Sequence, residues 1–169
     1  MDMDLKFLHE GVPLKKLKTV TKRRRHLEPK FPCPKIIGPA LLDMLERPNI
    51  TSFEFLSQQY DHEVQAGSVI KPLQGKGRVN GEAAVTRPVL SSHRAVVTSQ
   101  GLHPSYSDID CYAMAACSID TAIRNAVSVG GDPDYLALMD NFCWCSSDEP
   151  RRLGELKAAV QACYDYAKI

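Results

Sequence analysis

Apolar positions recur along this chain with a period that changes from segment to segment, and each change predicts an element. Residues 1 to about 38 mix charge with closely spaced Pro29, Pro32 and Pro34, a pattern of extended or linker structure. Pro39 can sit in a first helical turn, and Ala40, Leu41, Leu42, Met44 and Leu45 then form an apolar stripe stopped by Arg47-Pro48-Asn49. Thr51-Ser52-Phe53-Glu54 has capping-box spacing and predicts a second short helix to about Gln59. From Gly67 the period shortens. Ser68 to Leu73, Ala83 to Arg87 and Ala95 to Thr98 read as three strands bounded by Gly, Pro, Asn or Ser.

The helical period returns after Ser107-Asp108, either of which can cap a long helix to about Val129 before Gly130-Gly131 stops it. Its expected inner face is Ala113, Ala116, Cys117, Ile123, Ala126 and Val127, small enough for close packing. Tyr135 to Met139 reads as a buried strand, and Leu153, Leu156, Val160, Cys163 and Ala167 mark one face of a last helix that runs to Ile169. Strands, helix, strand and helix after a lead-in predict an α+β fold, a mixed or antiparallel sheet with helices packed on one face. The division expected is a basic, proline-containing linker over 1–38 and one α+β domain over 39–169. No repeat or low-complexity tract changes this order. Nothing in the chain supplies a layer for the opposite sheet face, so a homologous domain or a second copy, as in a homodimer, is expected to cover it.

Composition narrows the class. With 44% apolar and 24% charged residues in 169, the chain matches one globular domain, and no window approaches the roughly 18 apolar residues needed to span a bilayer. The opening Met1-Asp2-Met3-Asp4 has no leader character, so a cytoplasmic protein is expected. The six cysteines show no zinc spacing and read as reduced thiols, with Cys117 and Cys163 expected to fill helix-packing space. The net charge of +1 hides a basic first quarter that includes Lys22-Arg23-Arg24-Arg25. Without interleaved aromatics or a binding fold this run reads as a solvated linker, the rival being an RNA surface marked by steep salt dependence.

Three places could carry chemistry. Gly75-Lys76-Gly77-Arg78-Val79-Asn80-Gly81 joins two predicted strands, and its amides, Lys76 and Arg78 could meet an anion. It is not a Walker loop, and a flexible hairpin connection fits the spacing equally. Met139 to Trp144 follows the predicted buried strand, where Asp140 and Asn141 either face a ligand or cap a turn. Arg124 in the long helix could reach a phosphate or bond the carbonyl end of a strand. The five histidines show neither ligand spacing nor a triad order.

Gln59-Tyr60-Asp61-His62-Glu63-Val64, Gly81-Glu82-Ala83-Ala84-Val85, and Ala122 to Gly131 followed by Leu138-Met139-Asp140-Asn141 occur in this order. Over roughly residues 38 to 169 the chain thereby resembles the phosphoribosylformylglycinamidine synthase family, in particular the N-terminal-type, ATP-binding domain of its second internal half. That domain has the fold of the aminoimidazole ribonucleotide synthetase superfamily. The resemblance implies a cytoplasmic ligase of purine biosynthesis that uses ATP and magnesium. ATP phosphorylates the amide oxygen of formylglycinamide ribonucleotide, and ammonia from a glutaminase domain or subunit displaces the phosphate. It further implies Asp140 as a nucleotide contact with Asn141 beside it and Glu82 as an acid facing metal; Arg78, from the glycine-rich turn, is the expected phosphate contact.

The chain departs from the family pattern in three places. Glu82 stands where the family has Asp, Thr98-Ser99-Gln100-Gly101 lacks the usual acid, and Phe142-Cys143-Trp144 replaces L-N-F-G. The family's catalytic histidine and ATP-binding lysine belong to its first half, and its glycine-rich strand follows the position of Ile169. No catalytic residue is therefore assigned here, and the chain alone is expected to be inactive. The alternatives are a noncatalytic nucleotide-binding or interaction domain of the superfamily, and a related ATP-binding enzyme such as aminoimidazole ribonucleotide synthetase or selenophosphate synthetase.

Overall fold

The structure is a computed structural model that describes residues 3–11, 14–22, 25–60 and 64–168, with the backbone alone at residue 64. Asp61, His62 and Glu63 of the Gln59–Val64 motif, and Arg23 and Arg24 of the basic run, lie outside the described residues.

The lead-in holds a helix that its composition did not predict. In α1 (Leu5–Glu10) the Asp4 carboxylate accepts from Lys6 N at 2.8 Å, a local cap that needs no packed core. Farther along, Val20 N donates to Pro150 O at 2.8 Å, and the Val20 carbonyl crosses Gly154 where a Cβ would lie 2.3 Å from it. The lead-in thus straps the start of the last helix, and Gly154 is the position that lets it cross.

Helix α2 (Ile37–Leu45) begins two residues before Pro39, which still falls in the first turn, and its apolar stripe is exposed. Helix α3 (Glu54–Ser57) is shorter than expected, and the Thr51 capping box does not form. Ser52 Oγ accepts from Glu54 N at 3.3 Å, while Asn80 of a later strand accepts from Phe53 N at 3.3 Å and donates to Ser57 Oγ at 2.9 Å. A tertiary cap has replaced the local one, leaving the Glu54 carboxylate for another partner.

The three predicted strands are present as β1 (Ser68–Ile70), β4 (Ala83–Thr86) and β5 (Val96–Ser99), joined as an antiparallel sheet in the order β1-β4-β5. Between the first two, β2 (Leu73–Gln74) and β3 (Val79–Asn80) form a small hairpin with Leu73 opposite Asn80 and Gln74 opposite Val79. In the main sheet Ala83 pairs Ser99 and Val85 pairs Val97, so these four residues share a face. That face packs on α4 (Cys111–Ser128). Ala84, Thr86, Val96 and Thr98 on the other face are exposed, and no described element forms a second layer over them.

Asp110, rather than Ser107 or Asp108, caps α4 and accepts from Ala113 N at 2.8 Å. The segment around Ser107 and Asp108 is instead a 3-10 turn, Pro104–Asp108, which carries the chain back to the helix start. Gly130, with φ +89°, and Gly131, whose N–H reaches Ala126 O at 2.9 Å, end the helix as predicted. The core is the contact of α4 with α5 (Pro150–Tyr166): Ala115, Ala116 and Ile119 meet Ala159, Ala162 and Cys163. Small side chains let the helix axes approach, as the sequence indicated.

The inner faces are rotated from those predicted. Ala113, Cys117 and Val127 are exposed on α4, as are Val160 on α5 and Ala167 just after it, whereas Gly154 and Ala162 are buried. On α4 the buried stripe is Cys111, Ala115, Ala116, Ile119 and Ala126, while on α5 close packing selected the small Gly154, Ala159, Ala162 and Cys163. The displaced stripe of Leu153, Leu156, Val160 and Tyr164 lines an open groove of about 550 Å³ with Leu17 and Thr19 of the lead-in.

Residues 135–139 are not a strand. Tyr135 N bonds Asp132 O at 3.2 Å in a turn that opens the segment, and Tyr135 and Met139 are 90% and 95% exposed. An apolar run becomes a strand only by pairing with an edge, and residues 135–139 pair with none of the described strands. The structure exposes 14769 Å² in all, against about 8,300 Å² for a compact monomer of this mass. No helix among the described residues is long and apolar enough to cross a membrane.

Candidate functional site

Arg78, with φ +50°, closes the turn of the β2–β3 hairpin that Gly75 opens at φ +62°. The left-handed backbone fits glycine and strains arginine, and it turns the guanidinium toward α3. There Nη2 lies 2.6 Å and Nε 2.7 Å from Glu54 Oε1. The hydrogen bond to Glu54, followed by its charge, raises the Arg78 pKa above its ordinary value. Glu54, expected in the capping box of α3, is instead the partner of Arg78.

Glu82 is exposed at the bend before β4. Asp140 and Asn141 are exposed in the segment that returns to α5, not at the end of a strand, and the Asp140 carboxylate lies beside the Cys163 thiol. Burial, the charge of Asp140 and the hydrogen bond to it push Cys163 up to about 11. Asp140 and Asn141 are brought together by adjacency, whereas Arg78 belongs to the hairpin against α3 and Glu82 to the sheet. Neither groove described here is lined by any of the four.

Magnesium takes oxygen ligands in octahedral array, commonly one or two carboxylates with water and phosphate. Among the described residues no group of three His, Cys, Asp or Glu side chains could hold a metal ion. The described residues therefore assemble no metal cluster around Glu82 or Asp140.

Arg124 pairs with Asp120 at 2.7 Å along the helix surface and does not reach a strand. Its neighbour reaches the residue after β5: Asn125 Nδ2 donates to Gln100 O at 3.0 Å, and Ser99 Oγ donates to Ala122 O at 2.7 Å. The stretch lacking the family's acid therefore anchors β5 to α4. Gly101 continues the crossing, since a Cβ there would lie 1.9 Å from Ser118 O.

A second polar cluster had no local signature. His103 Nε2 is 2.9 Å from Thr121 Oγ1, and its ring stacks on Tyr106 with centroids 4.8 Å apart. Cys117 and Asp120 line the same pocket, of about 310 Å³. Only the 3-10 turn brings His103 back to α4.

No protein-family model and no solved structure matches the chain. Curated proteins do. It is 32% identical over 140 residues to phosphoribosylformylglycinamidine synthase subunit PurL of Methanocaldococcus jannaschii, covering 83% of this chain and 18% of that subunit. The same subunit of Thermococcus sibiricus is 36% identical over 132 residues, 78% of this chain and 17% of the relative. That of Deinococcus radiodurans is 32% identical over 160 residues, 95% of this chain and 20% of the relative. The chain thus spans about a fifth of the length of these relatives. Over most of its length it is homologous to subunit PurL of phosphoribosylformylglycinamidine synthase.

Proposed function

We propose that this chain is an ATP-binding-type portion of a phosphoribosylformylglycinamidine synthase, acting in purine biosynthesis in the cytoplasm. The carrying observation is the identity of 32–36% to PurL subunits across 78–95% of the chain. The exposed sheet face of Ala84, Thr86, Val96 and Thr98 supports a working state in which further protein covers it. The domain begins near residue 39 and corresponds to the N-terminal-type domain of the second internal half. Its substrates are formylglycinamide ribonucleotide, ATP and ammonia, the last from a glutaminase domain or subunit.

An amide oxygen is a poor leaving group, and phosphorylation makes it a better one that ammonia displaces. The role of this chain is positioning. Asp140, with Asn141 beside it, forms one wall for the nucleotide. Arg78 would meet phosphate only by exchanging Glu54, and Glu82 is one donor to a magnesium ion whose other donors come from outside the chain.

The engagement of Arg78 by Glu54 and the placement of Asp140 beside Cys163 favour a second reading, a noncatalytic interaction domain of the superfamily. The two differ in nucleotide affinity. The test is calorimetry with Mg-ATP on the Deinococcus radiodurans subunit carrying this chain in place of its aligned segment. Asp140→Ala should weaken binding by roughly 1–3 kcal/mol, the scale of a lost charge-assisted contact. Unchanged affinity in the folded variant favours the interaction domain.

A further inference from the structure

Between Asn141 and Ser146 the chain alternates its sides: Phe142, Trp144 and Ser146 are half-buried, while Asn141, Cys143 and Cys145 are exposed. The alternation is fixed from within. Trp144 Nε1 donates to Arg152 O at 2.8 Å, and its ring meets Phe142 edge-on at 6.2 Å. Both rings pack against the α4–α5 core. With the aromatic side chains held inward, the two flanking thiols share the outer side.

Two residues separate Cα atoms by at most about 7 Å. Same-side residues in an alternating segment stand close to that limit, beyond the roughly 3.5–4.5 Å that a disulfide requires between Cβ atoms. Two sulfurs bridged by one soft metal ion at about 2.3 Å each need a separation of only about 4–5 Å, which inward-leaning side chains reach. We propose that Cys143 and Cys145 form a two-thiolate site for a soft, monovalent d¹⁰ cation of the copper(I) class. No third His, Cys, Asp or Glu joins them among the described residues, which suits a two-coordinate ion and not zinc with its four donors.

Binding releases two protons and leaves a dithiolate–copper unit of charge −1. Arg152 offsets that charge from the helix start: its pKa is raised first by the hydrogen bond to Glu155 and next by the charge of Cys145. The other exposed thiols, Cys33 and Cys117, belong to the lead-in and to α4.

Trp144, the single tryptophan, lies between the two ligands and serves as the reporter. The complete reduced chain is titrated anaerobically with copper(I) buffered by a competing chelator. One equivalent should bind, change Trp144 fluorescence, produce a thiolate-to-metal charge-transfer band and release two protons. Cys143→Ser and Cys145→Ser should each weaken binding by more than the roughly 10–100-fold typical of losing a group that only orients a ligand. Cys33→Ser and Cys117→Ser should leave it unchanged, and zinc should not displace the ion. The proposal is overturned if the chelator retains the copper, if zinc displaces it, or if the Cys143→Ser/Cys145→Ser double variant, folded by circular dichroism, binds equally well.

Discussion

Arg78 Nη2 lies 2.6 Å from Glu54 Oε1, tying the turn of the β2–β3 hairpin to the first residue of α3. The two side chains are 51% and 37% exposed, so water screens their attraction. Arg78→Ala should therefore lower stability by no more than about 1 kcal/mol. Asn80→Ala removes the tertiary cap of α3 and should cost about 0.5–2 kcal/mol. Urea denaturation of both variants checks the order; a larger loss for Arg78→Ala would contradict it.

Two glycines mark backbone crossings with opposite consequences. At Gly101 a Cβ would lie 1.9 Å from Ser118 O and 2.9 Å from Ala122 N, both backbone atoms of α4. Gly101→Ala must push β5 off the helix, and a loss of about 1–3 kcal/mol or more is expected in thermal unfolding. Gly154→Ala would meet Val20 O at 2.3 Å, but the lead-in can move away, and alanine favours a helix interior by about 1 kcal/mol. Its expected result is unchanged or higher global stability with faster proteolysis in residues 14–22. Slower cleavage there would refute the strap.

Cys163 supplies a pH dependence. Its folded pKa, about 11, is raised above the ordinary thiol value of 9.0. The unfolded chain therefore loses this proton first as pH rises, and the stabilisation present below pH 9 is lost as pH climbs toward about 11. Stability measured across that window should fall more steeply for the native chain than for Cys163→Ala, with equal slopes as the contrary result.

Part of this was legible in the sequence. Three strands and two long helices followed from periodicity, and Gly130-Gly131 marked the helix end because a left-handed residue is required there. The rotated inner faces were not legible, since Ala159 and Ala162 are buried by the closeness of α4 and not by their own hydrophobicity. Residues 135–139 had the composition of a strand, but pairing depends on an edge elsewhere in the chain. The same holds for the site: Asp140, Asn141, Arg78 and Glu82 were named from motifs, while Glu54 and Cys163 as partners required the fold.

The open sheet face and the exposed apolar stripe of α2 lead to an expectation of self-association by the chain alone. Light scattering at tens of micromolar should report a dimer or larger species, whereas a clean monomer would count against coverage by a second copy.

The central claim is tested most directly by amidine formation. The PurL subunit of Deinococcus radiodurans, carrying this chain in place of the segment it aligns with, is supplied with formylglycinamide ribonucleotide, ATP and ammonia. The expected result is ATP-dependent product from the chimera and none from this chain alone, which spans about a fifth of the relative. A folded chimera that makes no amidine, or product formed by this chain alone, would contradict the account.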